Sequence, residues 1–476
     1  HCYYAITLSI NRLSLHWSAN KTQTGKVFMF DLVIRNANVL QPDGTTAFTD
    51  IGCKNGKIER VTPEITVDAN EILDAKGHVL LPGVIDPQVH FREPGATQKE
   101  NLASGSRAAV RGGVTSYLEM PNCTPPTIDQ IQLDWKIARA TESSVANFGF
   151  FIGASKNNIE ALTTTSPVCG IKVFMGSSTG NLLVDDMESL DAIFSSGERL
   201  IAVHAEDENR IQNRTNMFLG RTNRSQKVLP YDIHSQIRDP ETALIATKRA
   251  VTLSEKYGRR LHVLHLSTSE EINFLRNNKP TQVSCEVVPN HLFLSIDDYE
   301  TLGSHAQMNP PIRERSNADH LWEGLHDGLI DIIATDHAPH TIEEKAKPYP
   351  LSPSGTPGVE TSLPLMLTEV KKGRCTLAQI QEWMSIGPAR LYGIPNKGYI
   401  AEGYDADLVL VDLEDYRPVI NEEIFSRARW SPFHGRQLTG WPLCTIVNGC
   451  IVFDNGDIRP GIYGRPLNFT KKYSRA

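Results

Sequence analysis

Val84-Ile-Asp-Pro-Gln-Val-His90 is a short apolar run that ends in a histidine, and it sets the reading of the whole chain. A helical stretch, Lys99–Arg111, follows it, and a second run, Val114–Met120, follows the helix. The alternation continues through Phe148–Ala154, Ile171–Phe174, Leu200–His204, Leu261–Leu266, Val283–Val288 and Ile330–Thr335, with amphipathic segments such as Glu241–Tyr257 between them. Strands alternating with helices predict parallel βα units, and eight units predict a (β/α)8 barrel, although periodicity alone also fits an open doubly wound sheet.

On both sides of this region the text changes to strand and turn. Asp31–Leu40 is rich in β-branched and apolar residues, and Asp50–Glu59 carries an Asn-Gly hairpin signal. Strand text returns at Asp407–Asp412 and at Thr445–Asp454, which holds a second Asn-Gly. The simplest arrangement pairs the two flanks into one small β-sandwich, 29–83 with 395–460, beside a barrel at 84–394, followed by a tail at 461–476. Residues 1–28 read as an extension unlike the rest, with Met29 as the expected natural start and a cleaved targeting peptide as the alternative.

Composition narrows the function classes. The 476 residues are 40% hydrophobic and 22% charged, which is ordinary globular usage and excludes a disordered, collagen-like or coiled-coil chain. Lys and Arg number 48 against 55 Asp and Glu, a net charge of −7 that argues against general nucleic-acid binding. No apolar run has the length of a membrane span. The eight cysteines are scattered without CxxC spacing, so they read as reduced thiols of a cytoplasmic protein.

Active sites of such barrels lie at the carboxyl ends of the strands. The residues there are His90, Lys172, His204, His265 and Asp336. Taken singly, each has a plain structural reading. A strand-end histidine is usually a hydrogen-bonded core residue, a strand lysine usually snorkels or pairs, and Asp336 could cap the next helix. Five together, each on a different strand end, point to a metal site. A buried lysine is costly unless paired or neutralised, and one solution is a carbamate formed with carbon dioxide, an anion able to bridge two divalent metals. Imidazole and carboxylate ligands without thiolate suit zinc, with manganese, cobalt or nickel as alternatives.

The longer strings carry a resemblance. His90-Phe-Arg-Glu-Pro-Gly95, Gly113-Val-Thr-Ser, Met120-Pro-Asn122, Ile171-Lys-Val-Phe-Met-Gly, Leu261-His-Val-Leu-His265-Leu-Ser-Thr, Met308-Asn-Pro-Pro311 and Ala334-Thr-Asp-His-Ala-Pro-His340 resemble the dihydroorotases of the amidohydrolase superfamily. The resemblance spans about Met29 to Ile458 and includes Asp405-Ala-Asp407 and Trp430-Ser-Pro-Phe433. It implies one or two zinc ions, with a carboxylated Lys172 bridging them, His204 and His265 on one metal, and His90 and Asp336 on the other. It implies that Arg92, Asn122, Asn309 and His340 grip the substrate, and that the loop Ser354–Gly358, with Pro357 and Gly358, offers backbone groups to a pyrimidine ring. The implied reaction is reversible cyclisation of N-carbamoyl-L-aspartate to L-dihydroorotate in pyrimidine biosynthesis, with metal-activated water as nucleophile and Asp336 as general acid and base. A planar guanidinium at Arg92 suits the substrate carboxylate; the structural alternative is an ion pair of Arg92 with Glu93 or a neighbour.

Two departures qualify the resemblance. The family usually has His-x-His at the first strand end, whereas this chain has Gln88-Val-His90, and an amide is a weak ligand beside imidazole. Gln88 then coordinates weakly, or leaves one metal, or marks an inactive structural partner of aspartate transcarbamoylase. Asn290-His291 stands where a His-His pair is common, and no metal role is assigned to either. His262 reads as structural, facing away from His265. The nearest rivals are dihydropyrimidinase, hydantoinase and allantoinase, whose substrates lack the exocyclic carboxylate and give Arg92 nothing to bind. Expected partners are a small-molecule substrate, a second copy of the chain as homodimer, and aspartate transcarbamoylase in a candidate complex. Nucleic acid and membrane are not expected.

Overall fold

The computed structural model describes residues 29–177, 182–220 and 229–470, so the reading of residues 1–28 as an extension lies outside the described residues. The first flank forms β1 (Phe30–Leu40), β2 (Thr46–Lys54), β3 (Lys57–Thr62), β4 (Ala69–Asp74) and β5 (Val79–Pro82). Eight barrel positions follow. They are β6 (Val84–Val89), β7 (Val114–Glu119), β8 (Asn147–Phe150) continued by β9 (Ile152–Gly153), β10 (Ile171–Phe174), β11 (Ile201–His204), β12 (Leu261–Val263), β13 (Val283–Val287) and β14 (Ile332–Ile333). The trailing flank gives β15 (Leu408–Pro418), β16 (Gln437–Val447), β17 (Cys450–Asp454) and β18 (Asp457–Ile458).

Every predicted run coincides with a barrel strand. Neighbours pair in parallel from β6 to β8 and from β9 to β14. The ring closes where Val89 bridges His337 and the His90 amide donates to the His337 carbonyl at 2.8 Å. Closure removes the open-sheet alternative and leaves no free edge among these strands. No helix among the described residues is long and apolar enough to cross a membrane.

The two flanks meet on β5. It runs parallel to β1 through Asn38↔Val79 and antiparallel to β15 through Leu408↔Pro82, so strands from both ends join one nine-stranded sheet. Leu32, Ile34, Ile51 and Leu80 of the first flank share a buried core with Leu408, Leu410 and Ile446 of the second. One residue, Gly83, then links β5 to β6, and a side chain there would lie 2.1 Å from the Thr115 hydroxyl. That approach makes the position one for glycine.

The helices begin where the candidate ligands end. Asp207, three residues after His204, accepts from the Arg210 amide and starts the helix Glu208–Leu219. Thr268, three residues after His265, accepts from the Glu271 amide and starts the helix Ser269–Asn278. A strand end, a short turn and a capped helix hold each histidine at the carboxyl rim.

Candidate active site

His90, Asn122, His204, His265 and Asp336 lie at or just beyond the carboxyl ends of barrel strands, whereas Lys172 is the second residue of β10 and lies inside its strand, not at the expected strand end. Arg92, His265 and Asp336 adopt left-handed backbone, with φ of 62°, 39° and 48°. Non-glycine residues rarely take that conformation, and such strain concentrates at functional sites. Here it re-aims side chains that a continued strand would direct elsewhere.

The site consists of connected groups. In the first, the His90 Nδ1–H donates to Asn122 Oδ1 at 2.7 Å, which leaves the Nε2 lone pair 3.0 Å from Asp336 Oδ1. Two acceptors at that separation call for a shared proton or a cation. Gln88 Nε2 donates to the same Asp336 oxygen at 3.2 Å, and Gln88 Oε1 is buried without a hydrogen-bond partner. An orphaned carbonyl oxygen beside a carboxylate and an imidazole is a further donor atom for a cation.

The second group holds His204 Nδ1 3.0 Å from His265 Nε2. His204 Nε2 lies 2.9 Å from Glu206 Oε2. Burial works against the Glu206 carboxylate, yet the adjoining Arg238 guanidinium wins and holds its pKa at about 2. An ionised Glu206 fixes the His204 proton on Nε2 and turns the Nδ1 lone pair toward His265, the usual way a carboxylate orients a ligating imidazole. Burial pushes the pKa values of His90, His204 and His265 below the ordinary histidine range, which favours the neutral imidazole, the form that binds metal. Reading only the residue that closes each run passes over Glu206; an acid two positions after a strand-end histidine was the available signal.

Lys172 is 1% exposed, with Nζ 4.6 Å from the centre of the Phe174 ring and no ion pair among the described residues. Burial pulls its pKa down to about 7, against the opposing pull of Asp336 and Glu286. Its charge is felt by His90, His204 and His265, so it stands within electrostatic reach of both groups. Among the described residues no three His, Cys, Asp or Glu side chains converge to hold a metal ion. The donors instead form two pairs around an amine. That set fits a divalent metal once Lys172 becomes an anion, which its accessible neutral form permits.

The third group faces the mouth. Arg92 is buried; its Nε donates to the Pro339 carbonyl at 3.2 Å and its Nη2 lies 3.3 Å from His340 Nε2. Glu93 is engaged elsewhere, with Arg139 at 2.8 Å and the Leu102 amide at 2.9 Å, so the alternative Arg92–Glu93 pair does not form. Burial pulls the Arg92 pKa down to about 10, and no carboxylate pairs with it among the described residues. His340 Nε2 contacts the Ser354 carbonyl at 2.9 Å and Nδ1 receives Lys99 Nζ at 3.1 Å. Asn309 Oδ1 lies 2.9 Å from His234 Nε2, which is 3.4 Å from Ser354 Oγ. Through Ser354, Asn309 and His340 thus share the loop that carries buried Pro357 and half-buried Gly358. Asp336 caps no helix; Thr341 caps Ile342–Lys345 instead. His262 bonds Ser284 at 2.8 Å and Glu286 at 2.9 Å, a structural role, while Asn290 binds Thr356 and His291 binds the Pro310 carbonyl.

Asp86 was not singled out from sequence. It accepts from the Gln88 amide at 3.2 Å, the Thr335 amide at 3.1 Å and the Thr335 hydroxyl at 2.5 Å, and so locks β6 to the Asp336 segment. Asp86→Ala is expected to cost about 2–4 kcal/mol in urea unfolding, because it strands buried donors. A loss under 1 kcal/mol would show the contacts to be dispensable.

A cavity of about 470 Å³ lies away from the mouth, beside Trp441 and Phe425. Its three arginines are engaged within the chain, Arg111 with Glu360, Arg417 with Asp415 and Arg429 with the Ile424 carbonyl.

Comparison with known proteins adds an independent line. Residues 79–452 match the amidohydrolase family. The chain is 39% identical to a dihydroorotase from Halobacterium salinarum over 84% of this chain and 91% of that protein. It is 35% identical to a dihydroorotase from Methanosarcina acetivorans over 91% and 94%, and 34% identical to one from Bacillus caldolyticus over 89% and 99%. Among solved structures it is similar to an L-hydantoinase (dihydropyrimidinase) from Arthrobacter aurescens, with a TM-score of 0.86, 30% identity, and coverage of 92% of this chain and 100% of that one. A dihydropyrimidinase from Brevibacillus agri superposes with a TM-score of 0.84 at 27% identity, over 92% and 99% of the two chains.

Proposed function

The chain belongs to the amidohydrolase family, among the dihydroorotases, and from that premise we propose that it interconverts N-carbamoyl-L-aspartate and L-dihydroorotate, a cyclisation step of pyrimidine biosynthesis. The observation that carries this reading over the other cyclic amidases is Arg92: a buried guanidinium at the barrel mouth with no carboxylate of its own among the described residues. A buried cation with no direct ion-pair partner is costly even with Asp336, Glu344, Glu119 and Glu100 in electrostatic reach, and a substrate carboxylate relieves that cost. Neither hydantoin nor dihydrouracil supplies one.

In this reading His204, His265 and a carboxylated Lys172 would hold one zinc ion, and His90 and Asp336 with Lys172 would hold a second, with Gln88 as a weak ligand position. When bound, the metal polarises the ring amide carbonyl and makes water a better nucleophile near neutral pH. The chain supplies the rest. Arg92 takes the exocyclic carboxylate as a fork. Asn122, Asn309 and His340 orient the ring, and the backbone at Pro357 and Gly358 meets its polar edge. Asp336 accepts the proton of the attacking water at a carboxylate oxygen and passes it to the leaving ring nitrogen. In the reverse direction protonated Asp336 helps expel water. The seven described cysteines are free thiols, which supports a cytoplasmic setting. A homodimer is the assembly expected by default, with aspartate transcarbamoylase as a candidate partner.

Ring opening creates a second carboxylate and releases a proton; closure consumes one. Closure is therefore expected to speed up as pH falls and hydrolysis as pH rises, with Asp336 protonated for the one and ionised for the other. Initial rates in both directions across pH 5.5–9 check this, and the same limb in both directions would remove Asp336 from the role. The reading itself is tested by steady-state turnover of L-dihydroorotate by protein prepared with zinc and bicarbonate. Turnover of hydantoin or dihydrouracil in its place would move the chain to the rival amidases, and silence on all three would favour a structural partner.

A further inference from the structure

Lys345 has no part in the scheme above, yet it is 1% exposed and lies directly behind the substrate loop. Its Nζ donates to three backbone carbonyls at once: Pro353 at 2.9 Å, Gly355 at 3.0 Å and Gln307 at 3.2 Å. These carbonyls belong to two separate stretches. Pro353 and Gly355 flank Ser354, whose carbonyl meets His340; Gln307 lies two residues before Asn309. The lysine itself ends the short helix that begins just after His340. One buried amine therefore ties together the three segments that carry Asn309, His340 and the Pro357–Gly358 backbone.

The surroundings leave this tie little alternative. Three converging carbonyl dipoles repel one another unless a cation or several donors face them. The Trp430 ring lies 5.6 Å from Nζ and closes the other side, while the Trp430 indole N–H donates to the His340 carbonyl at 2.9 Å. Gly355, at φ 137°, packs so closely that a Cβ would lie 2.4 Å from the Ala338 carbonyl and 3.0 Å from the His340 ring. The loop is thus pressed against the Asp336–His340 segment on one face and held by Lys345 on the other.

We propose that Lys345 is a positioning residue for substrate binding, which pre-sets the loop 353–358 and the Asn309 segment against His340 before the ring arrives. The inference rests on the dihydroorotase reading. It differs from a purely structural role in what its loss does to the kinetics. A loop that grips the ring equally in the ground and transition states affects KM and leaves kcat unchanged. Simple destabilisation lowers the active fraction, and so kcat, at constant KM.

The test compares Lys345→Met and Lys345→Gln with the full wild-type chain on L-dihydroorotate. Lys345→Met is expected to raise KM about 10- to 100-fold with kcat within about threefold, the scale of losing a cluster of three buried hydrogen bonds. Lys345→Gln keeps two N–H donors and is expected to recover part of the loss. A fall in kcat at unchanged KM in both variants would overturn the proposal. Hydrogen exchange on the wild-type protein covers the case in which neither variant folds. The amides of Gly355 and Gly358, which donate to the Gln307 carbonyl and to His337 Nδ1, are expected to be protected before substrate is added and to change little afterwards; free exchange that slows only on binding would overturn pre-setting. Wild-type protein silent on dihydroorotate would count against the dihydroorotase reading, whereas active wild type with an unmoved KM in the variants would count against Lys345 alone.

Discussion

Lys172→Met is expected to abolish dihydroorotate turnover, a loss of about 10³-fold or more, while the folded protein becomes more stable. The two effects share one cause. The lysine amine lies in a barrel strand with no ion pair among the described residues, and burial has already pulled its pKa down to about 7. In metal-free protein that is a net cost of folding near neutral pH. Methionine matches its length without the desolvated amine, so a gain of about 1–4 kcal/mol is expected in chemical denaturation of the metal-free forms. The sign with pH follows. Between the depressed native value and the ordinary lysine value, the unfolded chain binds more protons than the native one. Metal-free wild type should therefore gain stability as pH rises from about 7 to about 10. The difference from Lys172→Met should shrink over the same window. The variant's zinc content should fall together with its activity. Full activity without the amine, or zinc content equal to wild type, would remove Lys172 from the site.

Arg92→Ala is expected to lower kcat/KM for L-dihydroorotate by about 10²- to 10³-fold, the scale of losing two charge-assisted hydrogen bonds to a carboxylate. The same substitution should leave any slow hydrolysis of dihydrouracil unchanged, because that ring has no carboxylate to lose. Arg92→Lys should recover only part of the loss, since an ammonium cannot reproduce the planar fork. The decisive quantity is the ratio of the two substrates' kcat/KM values in wild type and variant. Equal losses on both rings would show that Arg92 supports the fold or the general site, not the carboxylate. Because Glu93 is held by Arg139 and the Leu102 amide, the substitution breaks no ion pair of the protein, and the ratio cancels the effect on both rings of losing the Arg92 contacts with Pro339 and His340.

Much of this was legible before any coordinates. Periodicity is a local property, so eight short runs separated by amphipathic stretches were enough to place every barrel strand. The strand-end rule then collected His90, Lys172, His204, His265 and Asp336, because a parallel barrel puts all carboxyl ends on one face. Arg92, Asn122, Asn309 and His340 came from the strings that carry the family resemblance, and periodicity would not have found them. Glu206, Asp86 and Lys345 escaped both routes. In sequence each is an ordinary charged residue, and only its partners give it a function.

What the chain determines alone is therefore the alternation of elements and the residue types at the rim. Each of these is set by interactions between near neighbours, through side-chain periodicity, N-caps and turn chemistry. The tertiary structure decided the rest. It placed the Gln88 amide on Asp336, set the His90 lone pair against the same carboxylate, left Arg92 among acids but in a direct ion pair with none, and gathered three carbonyls on Lys345. Protonation and pairing in a barrel mouth depend on desolvation and on partners up to 248 positions away, and those exist only once the ring has closed.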